Sequence, residues 1–366
     1  MDKRYEVSAM RDLFVRLLTV LSEAHGGSSA EGAVRACLRS ELGTEGQCDK
    51  TGNLCFQKEG GCARPVVMLA AHMDEVGLAV HSITKEGYLR VVAMGGFWTP
   101  TLIAQRFAVL SRAGKRVPGI VASKPVHLLS KEEKEGCPKV ESLFLDVGAR
   151  SAGEVREELG IRAGDPIVPD VAVSPAAAPD VLVGKAFDDR AGLAVATHVF
   201  QSLAPGHPNT VWLAGTVQEE IGCRGAQTVC ERIKPDLCII LEGAPADDYP
   251  GSSPDDRQGA LGAGPQVRVM DPTAVMNRGL TEAVLNTAAE KDIPCQTAVR
   301  RSGGTDAKSI HLAGEGVPTC VLGVPVRYIH TPYCLLDIND CLATVELLTA
   351  LIAKLDAETV ADFTAF

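Results

Sequence analysis

The sequence predicts an α/β fold in which one α/β domain is interrupted by a β-rich insertion. Three observations carry this. Short, continuous apolar runs of the buried-strand kind alternate with helical patterns toward both ends of the chain. Aromatic residues make up only 4%, and Ala, Val, Leu and Ile supply the apolar weight, which suits strands covered by helices. The texture changes twice, near residues 78 and 180, and 366 residues exceed a usual domain of roughly 100–200.

Taken in order, residues 8–42 read as helices: "AMRDLFVRLLTVLSEA" has apolar positions at helical spacing, and "SSAEGAVRACLRSEL" follows "HGG", with Ser29 as its N-cap. "PVVMLAA" (65–71) is a buried strand. From 78 to 180 short alternating segments are punctuated by "KEG", "GG" and "AGKR". A charged "SKEEKEGCPKVES" and a Pro/Ala-rich "VPDVAVSPAAAPD" follow, and together they predict a small β-rich domain ending in a linker. After 181 the α/β rhythm returns. "TVWLAGTV" (210–217) precedes a helix near 223–233, "LCIIL" (237–241) and "TCVLGV" (319–324) each precede a loop, and "NDCLATVELLTALIAKL" closes as an amphipathic helix. Residues 1–77 plus 181–366 thus form a discontinuous domain around an insertion at 78–180.

Composition narrows the function classes. With 46% hydrophobic and 22% charged residues the chain can bury a large core and carries no disorder signature. A net charge of −10 would need a local basic patch to hold nucleic acid or an anionic membrane, and none exceeds "AGKR" at 113–116, so neither partner is expected. "MDKRYEVSAM" lacks the apolar core and cleavage site of a signal peptide, and no apolar run approaches the ~20 residues of a span, which predicts a cytoplasmic protein. Twelve cysteines scattered from Cys37 to Cys341 without a C-x-x-C pair read as reduced thiols packed as small hydrophobes. Nucleotide-binding glycine motifs are missing.

Acidic and histidine residues sit immediately after the apolar runs. His72 and Asp74 follow "VVMLAA", Asp188 and Asp189 follow "VLVGKAF", Glu219 and Glu220 follow "WLAGTVQ", Glu242 follows "CIIL", and His330 lies past "TCVLGVPV". Alone, each is ordinary: His-x-Asp is a common local hydrogen bond, Asp-Asp-Arg a turn, and Glu-Glu a helix N-terminal pair. In an open parallel sheet, however, the carboxyl ends of neighbouring strands face one crevice, and unpaired carboxylates there are costly without a cation. Two His with Asp and Glu and no Cys suit Zn²⁺, Co²⁺ or Mn²⁺, and one carboxylate can bridge two such ions. Asp74 is spaced to fix the His72 tautomer, and a glutamate beside a ligand can serve as general base.

The motifs "AAHMDEVG" (70–77), "GKAFDDRAG" (184–192), "TVQEEIGCRGA" (216–226), "SGGTDA" (302–307) and "GVPVRYIHTP" (323–332) resemble, in order, those of the dinuclear metallo-aminopeptidases of the TET and glutamyl-aminopeptidase type, peptidase family forty-two. The similarity runs from about residue 10 to 355 and includes "LFLDVGARSAGEVREELGIRAGD" (143–165) in the insertion. It implies a mostly parallel-sheet zinc-peptidase (phosphorylase/hydrolase-like) catalytic domain, two divalent ions (Zn or Co, with Mn an alternative), peptide substrates, and an insertion that dimerises, with dimers building a tetrahedral dodecamer. By position, Asp188 would bridge the ions. His72 and Glu220 would complete one site, Glu242 and His330 the other, with Glu219 as general base and Asp74 behind His72. The family often has Asp where this chain has Glu242, and it implies a cis peptide between Asp188 and Asp189.

Other activities stay open at the level of residues. A carboxypeptidase or deacylase could use the same scaffold, and a catalytically silent assembly protein is opposed by the complete ligand set. A glycoside hydrolase, a label this family has often carried, needs two carboxyls ~5–9.5 Å apart across a sugar, whereas these acids are sequence neighbours or ligands. His198 is expected to pack within a helix, His81 and His127 to be ordinary insertion residues, and His311 helical surface. Arg300 and Arg301, before "SGGTDA", are either solvated charges or a selector for acidic side chains.

Overall fold

The structure, a computed structural model, describes residues 3–365. Its organising element is the strand Val66–His72, buried at all seven positions. It lacks alternation because both faces are covered, so nothing selects polar residues on either side. Thr210–Thr216 and Leu237–Pro245 flank it in parallel, and Thr319–Arg327 adds to the latter in parallel.

Beyond these four strands the expectation of a mostly parallel sheet is corrected. Leu54–Lys58 lies antiparallel against Thr210–Thr216, and on the other side Cys334–Asp337, Val181–Gly184 and Ser174–Pro175 follow antiparallel. A parallel neighbour needs a crossover of a dozen or more residues, and Ser174–Pro175 reaches Val181 through a short turn that permits only a hairpin. Gln266–Asp271, antiparallel to Thr319–Arg327, carries Gln296–Val299 and Ala274–Val275. Ser174–Pro175 and Ala274–Val275, two residues each, are too short to show an apolar signature, whereas Val181–Gly184 lies in the apolar run before Asp188.

The chain between Gly77 and Pro169 closes six antiparallel strands into a barrel, in the order Gly77–Ile83, Leu89–Met94, Phe144–Asp146, Arg116–Ala122, Arg106–Leu110, Pro166–Pro169. Arg116–Ala122 alternates exposed and buried positions, and its Val117 and Val121 join Leu78, Phe107 and Ile167 in a separate core. Closure leaves no edge to pair with other chains.

The helix Phe187–Ser202 is buried from Phe187 to Phe200 and packs on the sheet. His198, as expected, packs within it, edge-on to Phe14 with ring centroids 6.1 Å apart. Ser29 is not the N-cap expected of it. It adopts φ +70°, its amide bonds the Glu31 carboxylate, and the helix Gly32–Leu42 starts beyond Glu31. The preceding segment is held instead by Ser28, whose hydroxyl donates to Asp74 Oδ2 at 2.6 Å.

Beneath the sheet's carboxyl end lies a buried ionic knot. Lys185 Nζ donates to both Glu75 oxygens at 2.6 and 2.7 Å. Arg190, fully buried, donates to the carbonyls of Leu21, Ala24 and Met73 and lies 3.4 Å from Glu75. Burial pushes Lys185 down to about 8, although Glu75 opposes the shift. The knot ties the first helix, the His72–Glu75 segment and the Lys185–Arg190 segment together. Removing one charge strands the others, so Glu75→Gln should cost about 3–5 kcal/mol in urea unfolding. A loss below about 1 kcal/mol would show that the knot is not stressed.

Candidate metal centre

Each strand of the central sheet delivers a polar side chain at its carboxyl end. His72 terminates Val66–His72, Glu219 and Glu220 follow Thr210–Thr216, Glu242 lies in Leu237–Pro245, and His330 follows Thr319–Arg327. Asp188 enters from the first turn of Phe187–Ser202, directly above Gly243. A Cβ on Gly243 would come 2.6 Å from Asp188 Cα, so only glycine lets strand and helix approach this closely. The Asp188–Asp189 peptide is cis.

Asp188 is the hub. Its Oδ1 lies 3.1 Å from His72 Nε2, and its Oδ2 lies 3.2 Å from His330 Nε2. His72 Nε2 is also 3.2 Å from Glu242 Oε1, and His330 Nε2 is 3.5 Å from Glu220 Oε2. The pairing therefore runs His72 with Glu242 and His330 with Glu220, the reverse of the grouping the resemblance implied. Donors of His72, Asp188 and Glu220 do fall within 4.8 Å of one another, as do those of His72, Asp189 and Glu242. The shortest contacts divide between the two oxygens of Asp188, His72 on Oδ1 and His330 on Oδ2. Oxygen and nitrogen donors ~2.1 Å from a tetrahedral ion stand about 3.4 Å apart, which these separations match. Glu220 Oε1 and Glu242 Oε2 are buried without a hydrogen-bond partner, a state that a cation would relieve. The longer arm of Glu242 does reach the His72 ring. The residues present fit a pair of divalent ions.

Surrounding groups hold these side chains. His72 Nδ1 donates to the backbone carbonyl of Asp74 at 3.0 Å, with Asp74 Oδ1 at 3.5 Å, so Asp74 orients the ring mainly through its main chain. Its carboxylate accepts from the amides of Glu219 and Glu220 as well as from Ser28. Asp189 receives the amides of His72 and Gly192. His330 Nδ1 donates to the carbonyl of Gly96 at 2.8 Å, which frees Nε2 for the centre. Gly96 belongs to the insertion.

A cavity of about 420 Å³ opens onto the cluster, and Arg268, Arg300 and Lys308 contribute to its wall. Arg300 is not a free charge: it donates to Asp247 Oδ2 at 3.0 Å and to the Pro245 carbonyl at 2.6 Å. Arg301 is exposed. His81 and His127 are exposed on the insertion, and His311 is half-buried outside the cavity. Sequence reasoning missed Arg268, Gly96, Asp306 and Cys223. "SGGTDA" is one of the family-like motifs but does not single out Asp306, and nothing in the sequence distinguishes Cys223 from the other cysteines.

The electrostatics follow from crowding. Burial, then the facing charges of Glu242 and Asp306, push Glu219 up to about 8 against the pull of His72. Burial likewise pushes Glu220 and Glu242 up to about 8. Desolvation lowers His330, but its hydrogen bond to Asp188 and the charge of Glu220 raise it to about 10. Burial would raise Asp188, yet its bonds from His330 and His72 hold it below the ordinary range.

A family model described as "M42 glutamyl aminopeptidase" matches residues 52–347. A glutamyl aminopeptidase of Lactococcus lactis is 35% identical over 349 residues, covering 93% of this chain and 96% of that protein. A lysyl aminopeptidase of Pyrococcus furiosus is 35% identical over 326 residues, covering 86% and 88%. The crystal structure of a TET aminopeptidase from a marine sediment Thaumarchaeota archaeon superposes with a TM-score of 0.91 at 40% identity, covering 96% of this chain and all of that one. A Pyrococcus horikoshii TET peptidase, described as able to assemble into a tetrahedron or a large octahedral shell, superposes at 0.83 with 28% identity, covering 93% and 100%.

The raised carboxyl groups bind protons in the folded state that the unfolded chain releases above about 4.5, and His330 does so above about 6.5. Stability of the metal-free protein should therefore fall as pH rises from about 5 toward 9. Thermal melts of chelated protein across that range will show a declining Tm, and added divalent cation will flatten the decline. A flat profile without metal would remove the account.

Proposed function

The chain belongs to the M42 glutamyl aminopeptidase family and is a peptide hydrolase of the aminopeptidase class, and we propose that it works through a two-cation centre with Glu219 as general base. One observation carries the proposal: two histidine Nε2 atoms meet opposite oxygens of Asp188, each with its own glutamate. His72 and Glu242 would hold one divalent ion, His330 and Glu220 the other, and Asp188 both. Such ions, Zn²⁺ or Co²⁺ by donor set and Mn²⁺ as an alternative, supply polarisation of the scissile carbonyl and acidification of water.

The remaining work belongs to the chain. Glu219, anchored through its amide to Asp74 Oδ1 at 2.9 Å, presents its carboxylate to the cavity. There it takes a proton from the attacking water and returns it to the leaving amine. The substrate's free α-amine binds at the edge of the acidic cluster, which limits attack to the first peptide bond. The relatives' names support an aminopeptidase over a carboxypeptidase or deacylase.

The insertion is proposed to dimerise the chain, with dimers closing into a tetrahedral dodecamer. The assembling peptidase of Pyrococcus horikoshii supports this, as do Trp98 and Leu128, which stand 67% and 70% exposed on the insertion. Light scattering should give a multiple of the 38.6 kDa chain, and a single species at that mass would overturn the assembly.

Replacing Glu219 by Gln keeps shape and removes the base. Turnover of an aminoacyl fluorogenic substrate should drop about 10²–10⁴-fold, while elemental analysis finds the metal content unchanged. Near-normal turnover would end the assignment of Glu219.

A further inference from the structure

The carboxylate read here as general base also belongs to a second group of donors that the two-cation centre does not use. Cys223 Sγ lies 3.3 Å from both Glu219 Oε1 and the Thr305 carbonyl, two acceptors that compete for its single S–H. Glu219, Cys223 and Asp306 each offer an atom within 4.8 Å of the others. Asp306 is 1% exposed. One of its oxygens accepts from Thr216, whereas Oδ1 is buried and finds no partner. A buried carboxylate with one unpartnered oxygen, grouped with a thiol and a second carboxylate, is an expensive arrangement in a protein interior.

We propose that Glu219, Cys223 and Asp306 form a third, inhibitory site for a thiophilic divalent cation such as Zn²⁺ or Cd²⁺. A tetrahedral ion with one sulfur at ~2.3 Å and oxygens at ~2.1 Å separates its sulfur and oxygen donors by about 3.6 Å. The contact between Cys223 and Glu219 is already close to that edge length. Cys223 and Glu219 both line the cavity, which gives the ion a way in. Binding exchanges the Cys223 S–H bond for a metal–sulfur bond and releases one proton to solvent. The positive field of the ion offsets the two carboxylates that face the thiol.

Selectivity follows from the sulfur. Zn²⁺ and Cd²⁺ favour a thiolate, whereas Mn²⁺ and Mg²⁺ favour all-oxygen sites, so the site takes an excess thiophilic cation and passes over a hard one. The inhibitory effect rests on Glu219 being the base: with its carboxylate tied to a cation it cannot accept a proton. The metal ligands proper, His72, Asp188, Glu220, Glu242 and His330, are untouched.

The test separates binding from inhibition. Enzyme loaded with Mn²⁺ is titrated with Cd²⁺, following both the ultraviolet thiolate–cadmium absorption and turnover, in wild type and in Cys223→Ala, each against its own uninhibited rate. The wild type should show an absorption step that the variant lacks. Its inhibitory Cd²⁺ concentration should be at least about tenfold lower than the variant's, and excess Mg²⁺ should inhibit neither. Asp306→Asn should weaken the step without abolishing it. Identical absorption and inhibition in wild type and Cys223→Ala would overturn the proposal. A step that depends on Cys223 and leaves turnover intact would establish the cation site and count against Glu219 as base.

Discussion

Asp188 is the constraint on which the rest of this molecule turns. A carboxylate shared between two imidazoles must sit at one point in space, and that point is reached from four strands and a helix at once. The close approach of helix and strand at Gly243, the amides gathered by Asp74 and Asp189, and the fully buried cations of Lys185 and Arg190 all serve that placement. Each is costly alone. Together they fix donors on stiff elements, where a displacement of about 1 Å would matter most to chemistry.

The same crowding explains why the centre stores electrostatic free energy. Glu219, Glu220 and Glu242 face one another at the end of a sheet where water is scarce, and two histidines only partly compensate. Cations held by the proposed centre would therefore contribute to the folded state as well as to reaction, because they would answer a charge imbalance that folding creates. Structure and reactivity draw here on one set of residues.

Much of this was legible in the sequence, because its strongest signals are positional. The runs before His72, Glu219, Glu242 and His330 are continuous and apolar, so their carboxyl ends can be found without coordinates; the texture change near 78 falls at the first barrel strand, whereas the barrel strands end at Pro169 and Ser174–Pro175 already pairs in the main sheet, ahead of the change near 180. What stayed hidden depends on contacts between distant segments. The outer antiparallel strands, such as Ser174–Pro175, are too short to show a period. The division of His72 and His330 between Asp188 Oδ1 and Oδ2 is a matter of side-chain direction, which motif order does not encode. Ser29 looked like an N-cap because local chemistry favours one there, but the tie from Ser28 to Asp74 redirects the backbone. Cys223 carries no signal in the sequence because its neighbour Asp306, held by Thr216, lies 83 positions on.

The carbonyl of Gly96 reaches across from the barrel to the ring of His330. A boundary that follows the chain at residue 78 would assign that carbonyl to a separate module, yet the tautomer of the His330 imidazole depends on it. The barrel is thus not an accessory that could be exchanged freely for another unit. Any replacement would have to return a backbone acceptor to the same spot, and this makes the inserted unit and its host a single inherited part.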